Sequence, residues 1–91
     1  MSAATRPTAN KQETMNAKQR NTLEKLNSQL EGIRAEIETI RDENQEGYDN
    51  LPEGLQGAEK GEKMQAAIDA LESAISDLES AFSNIEEAIQ A

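Results

Sequence analysis

The chain has 91 residues and a net charge of −9, with one Phe, one Tyr and neither Cys nor His. So few bulky side chains allow a single domain only a thin hydrophobic core, and self-association is the expected source of further stability. Without Cys or His, disulfides, thiolate sites and the commonest metal ligand are missing, which excludes zinc and cysteine chemistry.

The charge is unevenly distributed along the chain. The first 25 residues carry a net charge of +3 and the remainder −12. An acidic surface repels phosphates, so direct nucleic-acid binding is not expected. No stretch is apolar enough for a signal peptide or a membrane span, so we expect a cytoplasmic protein that does not bind membranes.

Residues 1–16 are predicted to form a flexible, basic N-terminal segment. They are small and polar and include Pro7. Asn10 and Glu13 have the spacing of a capping box, which would allow a helix to begin there. Polar residues at the following inward positions predict that the first turns fray, so we expect regular structure from about residue 17.

The first long helix is predicted at about residues 17–46. Its apolar residues alternate in steps of three and four, which is a heptad repeat with positions a and d apolar. Gly47 is the expected C-terminal cap. The repeat consists of Leu23, Leu26, Leu30, Ile33, Ile37 and Ile40.

The second long helix is predicted at about residues 58–90 and repeats the same spacing. Its seam runs from Met64 to Ile89, and alanines follow it at the neighbouring g positions. These alanines widen the apolar face beyond what one partner helix can cover. They are Ala67, Ala74, Ala81 and Ala88.

The charged residues beside the two seams predict how the helices pair. In an antiparallel pair the e positions face each other, and this brings basic residues of the first helix against acidic residues of the second. The chain is therefore predicted to be an all-α, coiled-coil-like antiparallel helical hairpin over residues 17–91 that self-associates into a helical bundle. The expected neighbours are Arg34 with Glu72, Asn27 with Glu79, and Arg20 with Glu86.

The connector, residues 47–57, is the most plausible place for a specific site because it concentrates Gly, Pro and the single Tyr. The second helix starts just beyond it, and free backbone N–H groups at a helix start favour an anion. Tyr48 would stack on a base; the alternative is that Tyr48 only covers the open end of the hairpin and that the lysine side chains are solvated. The candidate ligand-binding residues are Tyr48, Lys60, Lys63, Arg41, Gly57 and Gly61.

A weaker candidate is a calcium loop over residues 42–53. Its oxygen-bearing residues have the spacing of an EF-hand loop, with Gly47 at the sixth position. Position 5 is Glu instead of Asp or Asn, Pro52 interrupts the exiting helix, and no second loop exists. The alternative is an ordinary turn. The oxygen-bearing residues are Asp42, Asn44, Glu46, Asn50 and Glu53.

No arrangement typical of catalysis is visible in the sequence. A nucleophile beside a base, a metal cage or carboxylates in a dry pocket would be needed. The carboxylates instead follow helical spacing on outward positions, as in a solvated face. We therefore expect no enzyme activity, no cofactor and no metal site.

The strings YDNLPEGLQGAEKGEKM and AIDALESAISDLESA resemble short, acidic, two-helix proteins of uncharacterised function from phages, prophages and Firmicutes bacteria. The resemblance covers about half the chain, and its distinctive part is YDNLPE. It implies a small accessory protein of a phage or mobile element, and it implies no functional residue.

Three functions follow as hypotheses. The first is a non-enzymatic homo-oligomer, dimer or larger, that sequesters a small anionic ligand such as a signalling nucleotide in counter-defence. The second is an acidic antagonist that imitates DNA and occupies a cleft of a basic host protein. The third is a coiled-coil adaptor. A calcium-binding protein is the remote alternative.

Overall fold

The computed structural model describes residues 15–91, which form three helices and contain no strand. They are α1 (Ala17–Asp49), α2 (Glu53–Gln56) and α3 (Glu59–Gln90), and the two long helices α1 and α3 pack against each other. The all-α prediction is confirmed. Within this range no helix has the length and apolar character needed to cross a membrane. The capping box expected at Asn10 lies outside the described residues.

A capping box begins α1. The Asn16 side chain accepts a hydrogen bond of 2.8 Å from the Gln19 backbone N–H, and the Asn16 backbone N–H donates to the Gln19 side chain. These bonds satisfy two of the donors that every helix start leaves without partners. Asn16 and Gln19 are two of the polar inward residues that were expected to let the first turns fray, and they instead define the start of the helix.

The end of α1 lies beyond its predicted cap. Gly47 is inside the helix, which runs on to Asp49, and a Cβ at Gly47 would lie 3.3 Å from the end of the Met64 side chain. Gly47 therefore allows close approach to α3 instead of capping α1. Asn50 is the C-cap, and Pro52 prevents the helix from continuing.

Backbone and side-chain hydrogen bonds hold the connector against the helix ends. The Gln56 side-chain amide donates to the Tyr48 carbonyl at 3.2 Å and to the Leu51 carbonyl at 3.3 Å. Gly61 is buried, and a Cβ there would lie 2.6 Å from the Leu55 carbonyl oxygen and closer still to that of Gln56. Only glycine fits at this crossing of α2 and α3.

We expect Gly61→Ala to destabilise the protein by about 1–3 kcal/mol, because the added methyl meets backbone that cannot rotate away. Thermal unfolding followed by circular dichroism measures the effect. Gly57→Ala is the matched control, since no atom lies within 4 Å of its Cβ position and its φ of −89° suits alanine. Equal melting temperatures for the two variants would show that the close contact at Gly61 is not a constraint on the fold.

The core between α1 and α3 is narrow. Among the described residues only Ile68 and Ile75 are buried apolar side chains, with 1% and 6% of their surface exposed. The Arg20 side chain donates to the Ile89 and Ala91 carbonyls, which places the start of α1 beside the end of α3. Arg20 thereby satisfies carbonyls that the end of α3 would leave without partners.

The predicted pairing of basic and acidic residues is shifted by seven residues. Arg34 lies 3.8 Å from Glu79 instead of pairing with Glu72, and Arg41 lies 3.7 Å from Glu72. Helical side chains point toward the N-terminus of their own helix. In oppositely directed helices Arg34 and Glu79 therefore lean toward each other, whereas Arg34 and Glu72 lean apart.

The other two predicted pairs are shifted as well. Asn27 donates to the Phe82 carbonyl at 3.1 Å and shares a cleft with Glu86, and Arg20 reaches the last carbonyls of α3. The same rule explains both shifts, since each side chain of α1 reaches residues nearer the end of α3.

The face of α1 against α3 also differs from the predicted seam. Positions a and e face α3, whereas the d positions Leu26, Ile33 and Ile40 are 45%, 48% and 48% exposed. The e side chains Asn27 and Arg34 gain a hydrogen bond or ion pair with α3, which apolar d side chains cannot form. One column of the heptad repeat is thus left without a partner helix in the described chain.

Candidate functional site

The start of α3 brings Lys60 and Lys63 together in an open depression of about 330 Å³, which Glu59 and Met64 also line. The Lys63 ammonium lies 3.3 Å from the Glu59 carboxylate, and both side chains are more than three-quarters exposed. An exposed pair of this kind contributes little stability, but it supplies a local counter-charge to one of the two lysines. The Glu59 carboxylate thereby offsets part of the positive charge that would attract an anion.

Protein groups already occupy the start of α3 where an anion was expected. Glu59 and Glu62 lie in its first turn, where the helix dipole favours negative charge. The carbonyl oxygens of Leu55 and Gln56 lie close to Gly61. Both kinds of group supply negative charge at the place where a phosphate would have to sit.

The remaining predicted site residues do not line this depression. Arg41 contacts Glu72, which is twelve residues beyond Lys60 and therefore about 18 Å further along α3. Tyr48 is half-buried in the last turn of α1 and does not line the depression around Lys60. Gly57 ends α2 as its C-cap. Of the predicted site residues, Lys60 and Lys63 are the two that line the depression, and the buried Gly61 lies between them in the same helix.

The segment with EF-hand spacing does not form a loop. Its first eight residues, from Asp42 to Asp49, belong to α1. Their side chains radiate around a helix, whereas a calcium loop must turn its oxygens toward one point. No group of three or more acidic residues in residues 15–91 is arranged to hold a metal ion. The arrangement of these residues therefore does not fit a calcium-binding loop.

Asn27 is the polar residue whose importance the sequence analysis missed. It is 3% exposed, and while its Nδ2 donates to the Phe82 carbonyl, its Oδ1 is buried without a hydrogen-bond partner. A buried acceptor without a donor costs about 1–3 kcal/mol. One signal was available, because Asn27 is the single amide in an e column that otherwise contains arginine.

A cleft of about 430 Å³ lies over Asn27 on the flank that carries the ion pairs. Three carboxylates surround it, and Phe82 and Ile89 provide apolar walls. Glu31 is bonded to Arg34 at 2.6 Å, and this hydrogen bond is the main cause that raises the pKa of Arg34. The lining residues are Glu24, Asn27, Ser28, Glu31, Phe82, Glu86 and Ile89.

Comparison with protein-family models, with curated proteins and with solved structures finds no match to this chain.

Proposed function

We propose that the protein is a non-enzymatic binding protein whose α1 and α3 form an antiparallel helical hairpin that self-associates into a bundle. The observation that supports this most is the exposed row of Leu26, Ile33 and Ile40, spaced seven residues apart along α1. Three large apolar side chains on one helical stripe, each nearly half exposed, are typical of a surface that another helix covers.

The neighbouring surface of α3 extends this row into a wider apolar face. Position d lies on the opposite side of position a from position e, because each residue advances about 100° around a helix. The Arg–Glu contacts occupy the e flank, so the d and g residues of both helices share the other flank. On α3 these are half-buried residues, namely Leu71, Ala74, Leu78, Ala81, Ile85 and Ala88.

A second copy of the chain fits this face because the charges along α1 are self-complementary. At the c and g positions that border the exposed row, Lys18 and Lys25 lie in the first half of α1, and Glu36 and Glu43 lie in its second half. Two α1 helices in opposite directions bring the basic end of one against the acidic end of the other, whereas parallel helices would juxtapose like charges. The copies are therefore expected to pair around a twofold axis near Ile33.

The role that suits this arrangement is an assembly or adaptor module with an acidic outer surface for a basic partner protein. We propose a cytoplasmic accessory protein of a phage or mobile element as its setting, on the resemblance of the connector. Sequestration of a small anionic ligand stays a prediction with less support, because Lys63 and Arg41 both have acidic partners.

Sedimentation velocity of the wild-type protein between about 1 and 200 μM tests the proposal. We expect a species of at least twice the monomer mass, 10.0 kDa, that gains population with concentration. A monomer over the whole range would refute self-association and, with it, the proposed assembly role.

A further inference from the structure

We propose that the cleft over Asn27 binds an arginine side chain of a partner protein. This inference specifies the basic partner of the proposed function, but it uses the ion-pair flank of the helix pair and not the apolar face. The two surfaces can therefore fail independently in experiments.

The buried oxygen of Asn27 is the observation that points to a ligand. Its amide nitrogen is bonded, so the residue is held in place, while its oxygen has no donor among the described residues. Interior acceptors of this kind are normally satisfied by protein, water or a ligand. Asn27 lines the cleft, but its oxygen is covered in the free chain, so a donor that enters the cleft must displace the Asn27 side chain slightly to bond the oxygen and relieve the cost.

The charges around the cleft favour a cation. Neither Glu24 nor Glu86 forms an ion pair within residues 15–91, whereas Glu31 is bonded to Arg34. The other neighbouring cation is Arg20, which donates to carbonyls at the end of α3. Two carboxylates are thus available to an incoming positive group.

The shape and chemistry of the lining favour arginine over lysine or a metal ion. A guanidinium carries five N–H donors in a fixed plane, which suits several separate acceptors such as the Glu24 and Glu86 carboxylates and the Asn27 amide oxygen. Phe82 and Ile89 can pack against the aliphatic stem of such a side chain. Lysine offers a compact charge with a less extended set of donors.

Titration calorimetry of the full chain with a hexa-arginine peptide tests the inference, with hexa-citrulline as the uncharged analogue and hexa-lysine as the charge control. We expect binding of hexa-arginine, at least about fivefold weaker binding of hexa-lysine and none of hexa-citrulline. On addition of hexa-arginine, the side-chain amide resonances of Asn27 should shift. Equal binding of hexa-lysine and hexa-arginine, or unchanged Asn27 resonances, would overturn it.

Two charge-matched variants distinguish binding of hexa-arginine in the cleft from its general attraction to an acidic protein. Glu24→Gln with Glu86→Gln should weaken hexa-arginine binding by at least tenfold. Glu53→Gln with Glu62→Gln, which removes the same charge near the connector, should leave the affinity within about twofold. Both variants should retain the oligomeric mass of the wild type, so a loss of binding is not a loss of assembly. Equal weakening in both would overturn the inference.

A last variant distinguishes a partner protein from the chain's own N-terminal segment. If Arg6→Ala with Lys11→Ala leaves the Asn27 amide resonances of the free protein unchanged, the cleft is open to a partner, as proposed. If these resonances shift to new positions without any peptide, the chain's own basic residues occupy the cleft and the proposal is wrong.

Discussion

Ile33→Glu is expected to convert the self-associated protein into a monomer. Ile33 is 48% exposed at the centre of the apolar row, so glutamate is tolerated in one copy alone. At the proposed twofold axis, however, two carboxylates would face each other in a water-excluded contact. A buried charge without a partner costs about 3–5 kcal/mol, which corresponds to at least a 100-fold rise in the dissociation constant. Sedimentation equilibrium measures it.

Asn21→Glu is the control for added charge on α1. Asn21 is exposed and occupies position f, on the opposite side of the helix from the row that contains Ile33. The variant adds the same negative charge at an exposed position of α1. Its dissociation constant should stay within about threefold of wild type. An Ile33→Glu protein that sediments like the wild type would contradict the proposed interface.

Ile68→Ala is expected to lower the free energy of unfolding by about 2–5 kcal/mol. Ile68 is the largest fully buried side chain in the described chain, with 1% of its surface exposed. Because Ile75 is the only other buried apolar side chain among the described residues, truncating Ile68 removes a large part of the apolar surface that is buried between α1 and α3. Urea unfolding followed by circular dichroism, at one fixed protein concentration, gives the change.

Leu55→Ala is the comparison for Ile68→Ala, since it removes a side chain of similar size that is 45% exposed in the connector. It should cost less than about 1.5 kcal/mol, because most of the lost surface was already in contact with water. If the two substitutions cost the same, the packing of α3 against α1 does not depend on Ile68 in the way described.

The heptad pattern was sufficient to predict two long helices, because apolar residues that recur every three to four positions fit the 3.6-residue turn of a helix and not a strand. The pattern was insufficient to predict how α1 and α3 align along each other. A shift of seven residues places each heptad position opposite the same kind of position, so both alignments fit the pattern equally well. The choice between Glu72 and Glu79 as the partner of Arg34 depends on the direction of side chains along each helix. That direction is a property of three-dimensional geometry that residue spacing does not contain.

For the candidate sites too, contacts within one helix were predictable from the sequence and contacts between the helices were not. Lys60 and Lys63 were predicted as neighbours, and they line one depression because they are three residues apart on a helix. Arg41 was grouped with them as a residue that could reach the same end of the hairpin, but its contact is with Glu72, about 18 Å further along α3. The cleft over Asn27 was not predicted, because its lining combines residues about sixty positions apart that only the register brings together.

Disulfide cross-linking of single-cysteine variants tests directly whether two α1 helices pair around Ile33, and the absence of cysteine from the sequence makes every cross-link assignable. Two cysteines can be bridged only when their Cα atoms lie within about 7 Å. Pairing of two α1 helices around Ile33 predicts a covalent dimer from Ile33→Cys alone. Leu26→Cys and Ile40→Cys should cross-link only when they are mixed. The proposed pairing would be contradicted if Ile33→Cys gave no covalent dimer, or if each of the three variants alone gave the same yield of covalent dimer.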